Sequence, residues 1–143
     1  MRATVLLADS AQSDPTGKVH ALGLGWSTTV SPTPAAAIVV FIKVPWSETN
    51  QRHQFTLELV DADGRGFAPP GPDGQPGAPV AIVDSFEVGR PAGLPPGTDI
   101  DHHFTVNLDR GLPLQPGASY EWRLTVDGEH HEDWSARFSV RPA

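Results

Sequence analysis

Histidine and carboxylate residues gather twice along the chain, in Asp101-His102-His103 and in Glu129-His130-His131-Glu132-Asp133. Imidazole and carboxylate together suit zinc or another divalent ion. Adjacent residues of a strand point to opposite faces, so each histidine pair offers one ring per face. If the two segments were neighbours, one face would collect His102, His131 and Asp133, which are therefore the candidate metal ligands. The competing reading is a half-buried His102 with the remaining histidines in a hairpin loop, since short His-rich tracts are a compositional signal. The sequence favours this second reading, and no metal or other cofactor is expected.

Nucleophilic catalysis needs a nucleophile, a base and an orienting group in contact. Ser10, Ser27, Ser31, Ser47 and Ser85 are available, but none sits in a Gly-x-Ser-x-Gly elbow. The nearest approach is Gly23-Leu24-Gly25-Trp26-Ser27. It lies in a strand pattern with no following helix, which is not the context of an esterase motif. No phosphate-loop pattern occurs. Asp61-Ala62-Asp63-Gly64 begins like a calcium loop but lacks the closing glutamate and the flanking helices, so it reads as a turn. Paired carboxylates for glycoside hydrolysis depend on three-dimensional spacing, and a small sandwich leaves little room for a deep cleft. The chain is expected not to be an enzyme.

Aromatic residues point instead to contact chemistry. Of the four tryptophans, Trp26, Trp122 and Trp134 fall at inward positions of strand patterns. Trp46 follows a proline in a connection and is the candidate exposed aromatic, fit to stack on a sugar or anchor a protein interface. The candidate interface residues are Trp46, Phe67, Pro70, Asp73 and Leu94, all in irregular segments.

The elements that carry these residues are short. Fifteen prolines and fourteen glycines punctuate the 143 residues, and proline breaks helix interiors. No window shows the helical apolar period; the pieces alternate apolar and polar, the period of a half-buried strand. Strands are predicted at about Arg2–Ala8, Lys18–Thr28, Ala37–Val44, Arg52–Val60, Val80–Val88, Ile100–Leu108, Ser119–Val126 and Asp133–Val140. The first two are predicted to pair as a hairpin around Asp14-Pro15-Thr16-Gly17, with Val19, Ala21 or Leu22, Leu24 and Trp26 inward. Ala37–Val44 is apolar on both faces and reads as a central strand. Asp127-Gly128 is a hairpin turn signal. Gly66–Pro79, rich in proline and glycine, is predicted to build no ladder of its own, and a loop of this length is functional or mobile.

Composition bounds the partners. Net charge is -7. Acids and bases balance over the first sixty residues, and the rest holds thirteen acids against six arginines. Without a basic stripe, nucleic acid is not an expected partner. The longest apolar run, Ala35–Ile42, is too short to span a bilayer, and the first residues lack the apolar core of a signal peptide. The absence of cysteine excludes disulfides and thiolate metal sites and fits a reducing cytosol.

Leu114-Gln115-Pro116-Gly117 leading into Tyr120-Glu121-Trp122 resembles the penultimate strand of immunoglobulin-like and fibronectin-like domains. Over the whole length, Met1–Asp9, Gly25-Trp26, Val44-Pro45-Trp46-Ser47-Glu48-Thr49-Asn50, Glu87–Pro91 and Asp133-Trp134 resemble a family of small proteins of actinobacteria and their phages that has no assigned activity. The resemblance implies a compact β-sandwich and a place in a mobile element; it carries no catalytic residue.

The expected fold is a single all-β domain over residues 1–143, an antiparallel two-sheet sandwich of about eight strands, immunoglobulin-like, with a jelly roll as the alternative. The expected function is non-catalytic: a structural or interaction protein, an accessory (decoration or minor capsid) component of a phage or phage-like particle. The alternative is a sugar- or metal-binding module of the bacterial cytosol. The expected partner is a capsid or other assembly protein, with homo-oligomerisation open and no membrane contact. Location follows as cytoplasm or virion.

Overall fold

Ten strands follow one another in the computed structural model, which describes residues 1–143. They are β1 (Arg2–Ala8), β2 (Ser10–Ser13), β3 (Val19–Leu22), β4 (Thr28–Thr29), β5 (Ala36–Val44), β6 (Arg52–Asp61), β7 (Ala81–Glu87), β8 (Ile100–Leu108), β9 (Ser119–Val126) and β10 (Ser135–Val140). The one helical element is a 3-10 turn, Trp46–Glu48, between β5 and β6. No helix is long and apolar enough to cross a membrane.

Two sheets face each other, one ordered β1-β5-β8 and the other β4-β10-β9-β6-β7. All pairings are antiparallel except β4 with β10, which is parallel. The core lies between the sheets and follows the alternation of each strand. Val5 and Leu7 of β1 and Ile38, Val40, Ile42 and Val44 of β5 come from one side. Phe55, Leu57 and Leu59 of β6, Tyr120, Trp122 and Leu124 of β9 and Phe138 of β10 come from the other. Burial of each such side chain stabilises by roughly 1.5–3 kcal/mol, so this single contiguous cluster dominates the energetics.

Tyr120 opens β9, and its hydroxyl accepts the Gln115 N–H at 3.0 Å. A tyrosine hydroxyl bonded to the backbone a few residues upstream is a feature of immunoglobulin-like sandwiches too. Asp127 and Gly128 have φ of 50° and 79°. Val126 and Glu129 exchange both backbone hydrogen bonds at 2.9 Å around them. The Asp-Gly signal is thus realised as a two-residue turn of the primed type.

Three predictions are corrected. First, β1 does not pair with the segment after Gly17. It pairs with β5 along its full length, Arg2 opposite Lys43 to Ala8 opposite Ala37. The predicted turn closes a separate hairpin of β2 and β3. Second, that hairpin lies over the outer face of the β1-β5-β8 sheet as a third layer. Ala11 of β2 joins Ala8, Ala37 and Val39 in a small second core, with Leu6, Val19, Ala21 and Phe41 packed around it. The continuous apolar run of β5 has its cause here, since its inner face meets the main core and its outer face meets the hairpin. Third, Leu22 and Leu24 point outward, 72% and 54% exposed. Trp26 is half-buried, its indole N–H donating to the Ala8 carbonyl and its ring edge-on to Phe138. The Gly66–Pro79 segment forms no strand, as expected, yet it closes on itself at one isolated bridge between Pro70 and Pro76. Gly71 donates to the Gln75 carbonyl and Gly77 to the Pro69 carbonyl. The glycines supply the N–H groups that proline lacks and the Gln75 and Pro69 carbonyls accept them, so the β6–β7 hairpin carries an ordered tip.

Candidate functional site

The two ends of the sandwich carry the connections, and the candidate interface residues divide between them. Arg52, at the start of β6, lies opposite Glu87, at the end of β7. The Trp46 turn and the 88–99 connection with Leu94 therefore share one end. Phe67, Pro70 and Asp73 lie at the other end, beyond the finish of β6. The structure does not unite the five residues in one patch. Phe67 is half-buried, edge-on to Tyr120 with ring centroids 5.7 Å apart. Pro70 and Asp73 are exposed on the hairpin tip, where Asp73 accepts the Gln75 N–H. Leu94 is exposed.

Trp46 is not the free aromatic that its position after Pro45 suggested. It is half-buried against the core, and the Arg90 guanidinium sits 4.3 Å from its ring centre. Arg90 also donates to the Trp46 carbonyl (2.8 Å) and to the Thr49 hydroxyl (2.7 Å). The Thr49 hydroxyl in turn donates to the Trp46 carbonyl. A ring face covered by a cation that its own backbone also holds is not available for a sugar.

His53 completes the network. It is 3% exposed at an inward position of β6, two residues before Phe55. Nδ1 lies 2.6 Å from Asp127 Oδ2 in the β9–β10 turn, and Nε2 lies 2.7 Å from the Glu48 carbonyl. The other oxygen of Asp127 accepts the Gln54 N–H, and the Asp127 N–H returns a bond to the Gln54 carbonyl. Burial is the largest influence on His53 and acts to lower its pKa. The Asp127 and Glu48 hydrogen bonds and the two nearby acids outweigh it and hold His53 above its ordinary value. For Asp127, burial acts to raise the carboxyl, and the bonds from His53 and Gln54 overcome it and hold it low. On the same end, Asn50 donates to the Val88 carbonyl, and Arg2 reaches Asp99 at 3.5 Å. The 45–51 connection is thereby bonded directly to 88–99 and, through His53 of β6, to 127–134.

Sequence reasoning passed over His53, although a signal was present. The alternation that turns Phe55, Leu57 and Leu59 inward also turns His53 inward, and a buried imidazole needs partners.

The candidate metal ligands do not converge. No three His, Asp or Glu side chains form a group able to hold a metal ion. His102 faces inward, stacked on Phe86 at 4.7 Å, where burial and then the neighbouring His103 push its pKa down. His103 faces outward against Phe41 and donates to the Gly17 carbonyl, tying the β2–β3 hairpin down. His130 donates to the Leu124 carbonyl. His131 lies against Trp134 and bonds Glu129, and Asp133 is exposed.

Residues 3–140 match the model of a family of unknown function (DUF6941), and the chain belongs to that family. No curated protein and no solved structure matches it.

Proposed function

We propose, for this member of a family of unknown function, that the chain is a non-catalytic interaction protein meeting a protein partner through the loop platform at the Trp46 end. The finer reading is an accessory of a phage or phage-like particle, as a decoration or minor capsid component. One observation carries the proposal: the three connections at this end are bonded together through His53, Asp127, Arg90 and Thr49. Loops already fixed lose little conformational entropy on docking, which favours affinity without a large change of shape. Glu129, Glu132 and Asp133 are exposed on the same end and suit a partner with a basic face. The test is capture of the tagged chain from its native host, with induced phage particles included, followed by mass spectrometry. Capsid or tail proteins at fixed stoichiometry, lost when Glu129 and Asp133 are changed to lysine, are the expected result. Capture that ignores those changes, or that yields no assembly protein, overturns the reading.

A small-ligand role has one observation in its favour. A groove of about 510 Å³ on the outer face of the five-stranded sheet is lined by Ser27, Thr28, Asp61, Glu121, Arg137 and Ser139 among others. Its hydroxyl and charged groups suit a polar ligand such as a sugar. A sugar panel that raises the melting temperature of the parent chain but not of Arg137→Ala would favour this second reading by mass action on the native state.

A further inference from the structure

His53 sits where a neutral histidine cannot satisfy its surroundings. Both atoms its ring nitrogens face, a carboxylate oxygen at 2.6 Å and a backbone carbonyl at 2.7 Å, are acceptors. An ionised carboxylate and a carbonyl have no hydrogen to give, so each short contact requires an N–H on the ring. A neutral imidazole has one N–H and an imidazolium has two. The geometry thus specifies the cation, although the side chain is almost fully buried.

We infer that His53 is a proton-operated latch: its imidazolium ties the Trp46–Glu48 turn to the β9–β10 turn, and loss of one proton releases that tie at Glu48 while the sandwich stays folded and Arg90 still holds Trp46. The bond given up is the one to Glu48. The remaining N–H stays with Asp127, because a hydrogen bond to an ionised acceptor is the stronger of the two. Nε2 then presents a lone pair to the Glu48 carbonyl, and the two repel.

The charged and titratable groups around the ring are few. Asp127 faces it from the β9–β10 turn. Glu48 faces it from the 3-10 turn, with a carboxylate oxygen that is buried and has no hydrogen-bond partner. From β7 comes the uncharged Phe86 ring at 5.3 Å, and behind it, on β8, His102, whose pKa is pushed down. Arg52, next along β6, is exposed and donates to the Ser85 hydroxyl. Glu87, opposite Arg52 in β7, is exposed too. Arg90 is held over Trp46. The two nearest charges are both carboxylates, which favours the cation.

The sign follows. With its pKa raised above the ordinary 6.5, His53 contributes stability that is fully present below that value and is lost as pH rises through the higher folded value. The latch is closed on the acid side and opens on the alkaline side, whatever docks on the platform.

Asp127→Asn provides the test. Asparagine tolerates the φ of 50° at this position, and Asn-Gly is a preferred pair for such a turn. Its carbonyl oxygen can accept the Gln54 N–H while its amide donates to Nδ1 of a neutral His53. Nε2–H then still reaches the Glu48 carbonyl, so both links persist without charge. The experiment is a pH titration of the full chain followed by NMR of the histidine ring nitrogens and the Trp46 indole. In the parent chain His53 is doubly protonated at pH 6 and loses its proton above the ordinary histidine value, after His102, and the Trp46 signal shifts with the same midpoint. In Asp127→Asn, His53 is neutral with its hydrogen on Nε2, and the Trp46 shift disappears. A neutral His53 at pH 6 in the parent overturns the latch. So does a Trp46 signal indifferent to the His53 titration, or one that titrates equally in both proteins.

Discussion

Tyr120→Phe isolates a single hydrogen bond inside an otherwise intact corner. The Tyr120 ring is buried, with Phe67 edge-on at 5.7 Å and Phe138 stacked at 6.0 Å, and phenylalanine keeps all of that packing. What disappears is the bond from the Gln115 N–H to the hydroxyl. A neutral hydrogen bond contributes about 0.5–1.5 kcal/mol net. Gln115 is exposed, so water can reach the freed N–H, and the loss should be about 1 kcal/mol. For a chain of this length that corresponds to a fall in Tm of roughly 4 °C. Urea unfolding followed by tryptophan fluorescence measures it, and an unchanged m-value certifies that the native state is the same. Phe67→Ala removes the edge contact and leaves the hydrogen bond, at a cost of about 1–2 kcal/mol for a half-buried ring. The double mutant then reports how far the two are coupled. A Tyr120→Phe loss of ~3 kcal/mol or more would mean that the ring had repacked. No loss at all would mean that the bond contributes nothing to stability. Either result refutes the assignment of this corner as a hydrogen-bonded anchor.

Other consequences are as direct. Gly77→Ala sets a methyl group 2.8 Å from the Pro69 carbonyl oxygen, a backbone atom that cannot yield. Amide exchange and proteolysis at the β6–β7 tip should rise while the Tm of the sandwich hardly moves. The Asp14 carboxylate accepts bonds from the Thr16 hydroxyl, His20 and the Lys18 and Thr16 N–H groups, which hold its pKa far below the ordinary value. A depressed carboxylate contributes stability above its unfolded pKa and loses it only as pH falls through the folded one. NMR should therefore find the β2–β3 hairpin ordered at pH 4 in the parent chain and loosened in Asp14→Ala; parent hairpin signals lost near pH 4 would contradict this. Zinc should leave the Tm unchanged, because His102 and His131 have different partners and do not meet, and a rise abolished by His102→Ala would refute that. Arg90→Ala uncovers one face of Trp46, and its fluorescence should become more accessible to an added quencher at a stability cost of ~1 kcal/mol or less.

Much of the fold was legible in the residues because strand burial has a period of two. Alternation located β6, β8 and β9 within a residue or two, assigned Phe55, Leu57, Leu59, Trp122 and Leu124 to the core and turned His102 inward. Asp127-Gly128 announced its turn because few residue pairs accept two successive positive φ angles. The same local reasoning could not find the partner of β1, since pairing with β5 is a long-range event with no sequence marker. It also turned Leu24 inward and left Ala21 and Leu22 as alternatives, for alternation tells that two faces differ but not which one is covered. Only the laying of the β2–β3 hairpin over the sheet decides that Val39 is buried and Leu22 exposed. The platform at the Trp46 end has the same origin. Trp46 was visible as a tryptophan in a connection, but the guanidinium that covers it is 44 residues away. His53 was visible as an inward histidine, but its carboxylate lies 74 residues away. The sequence by itself determined β1 and the strands from β5 to β10, the main core and the absence of thiol chemistry, because these follow from residue type and near-neighbour period; it missed β2 and ran β3 and β4 together. The third layer, the divided loop ends and the charged histidine were decided by tertiary structure, because each depends on which distant backbone supplies the acceptor.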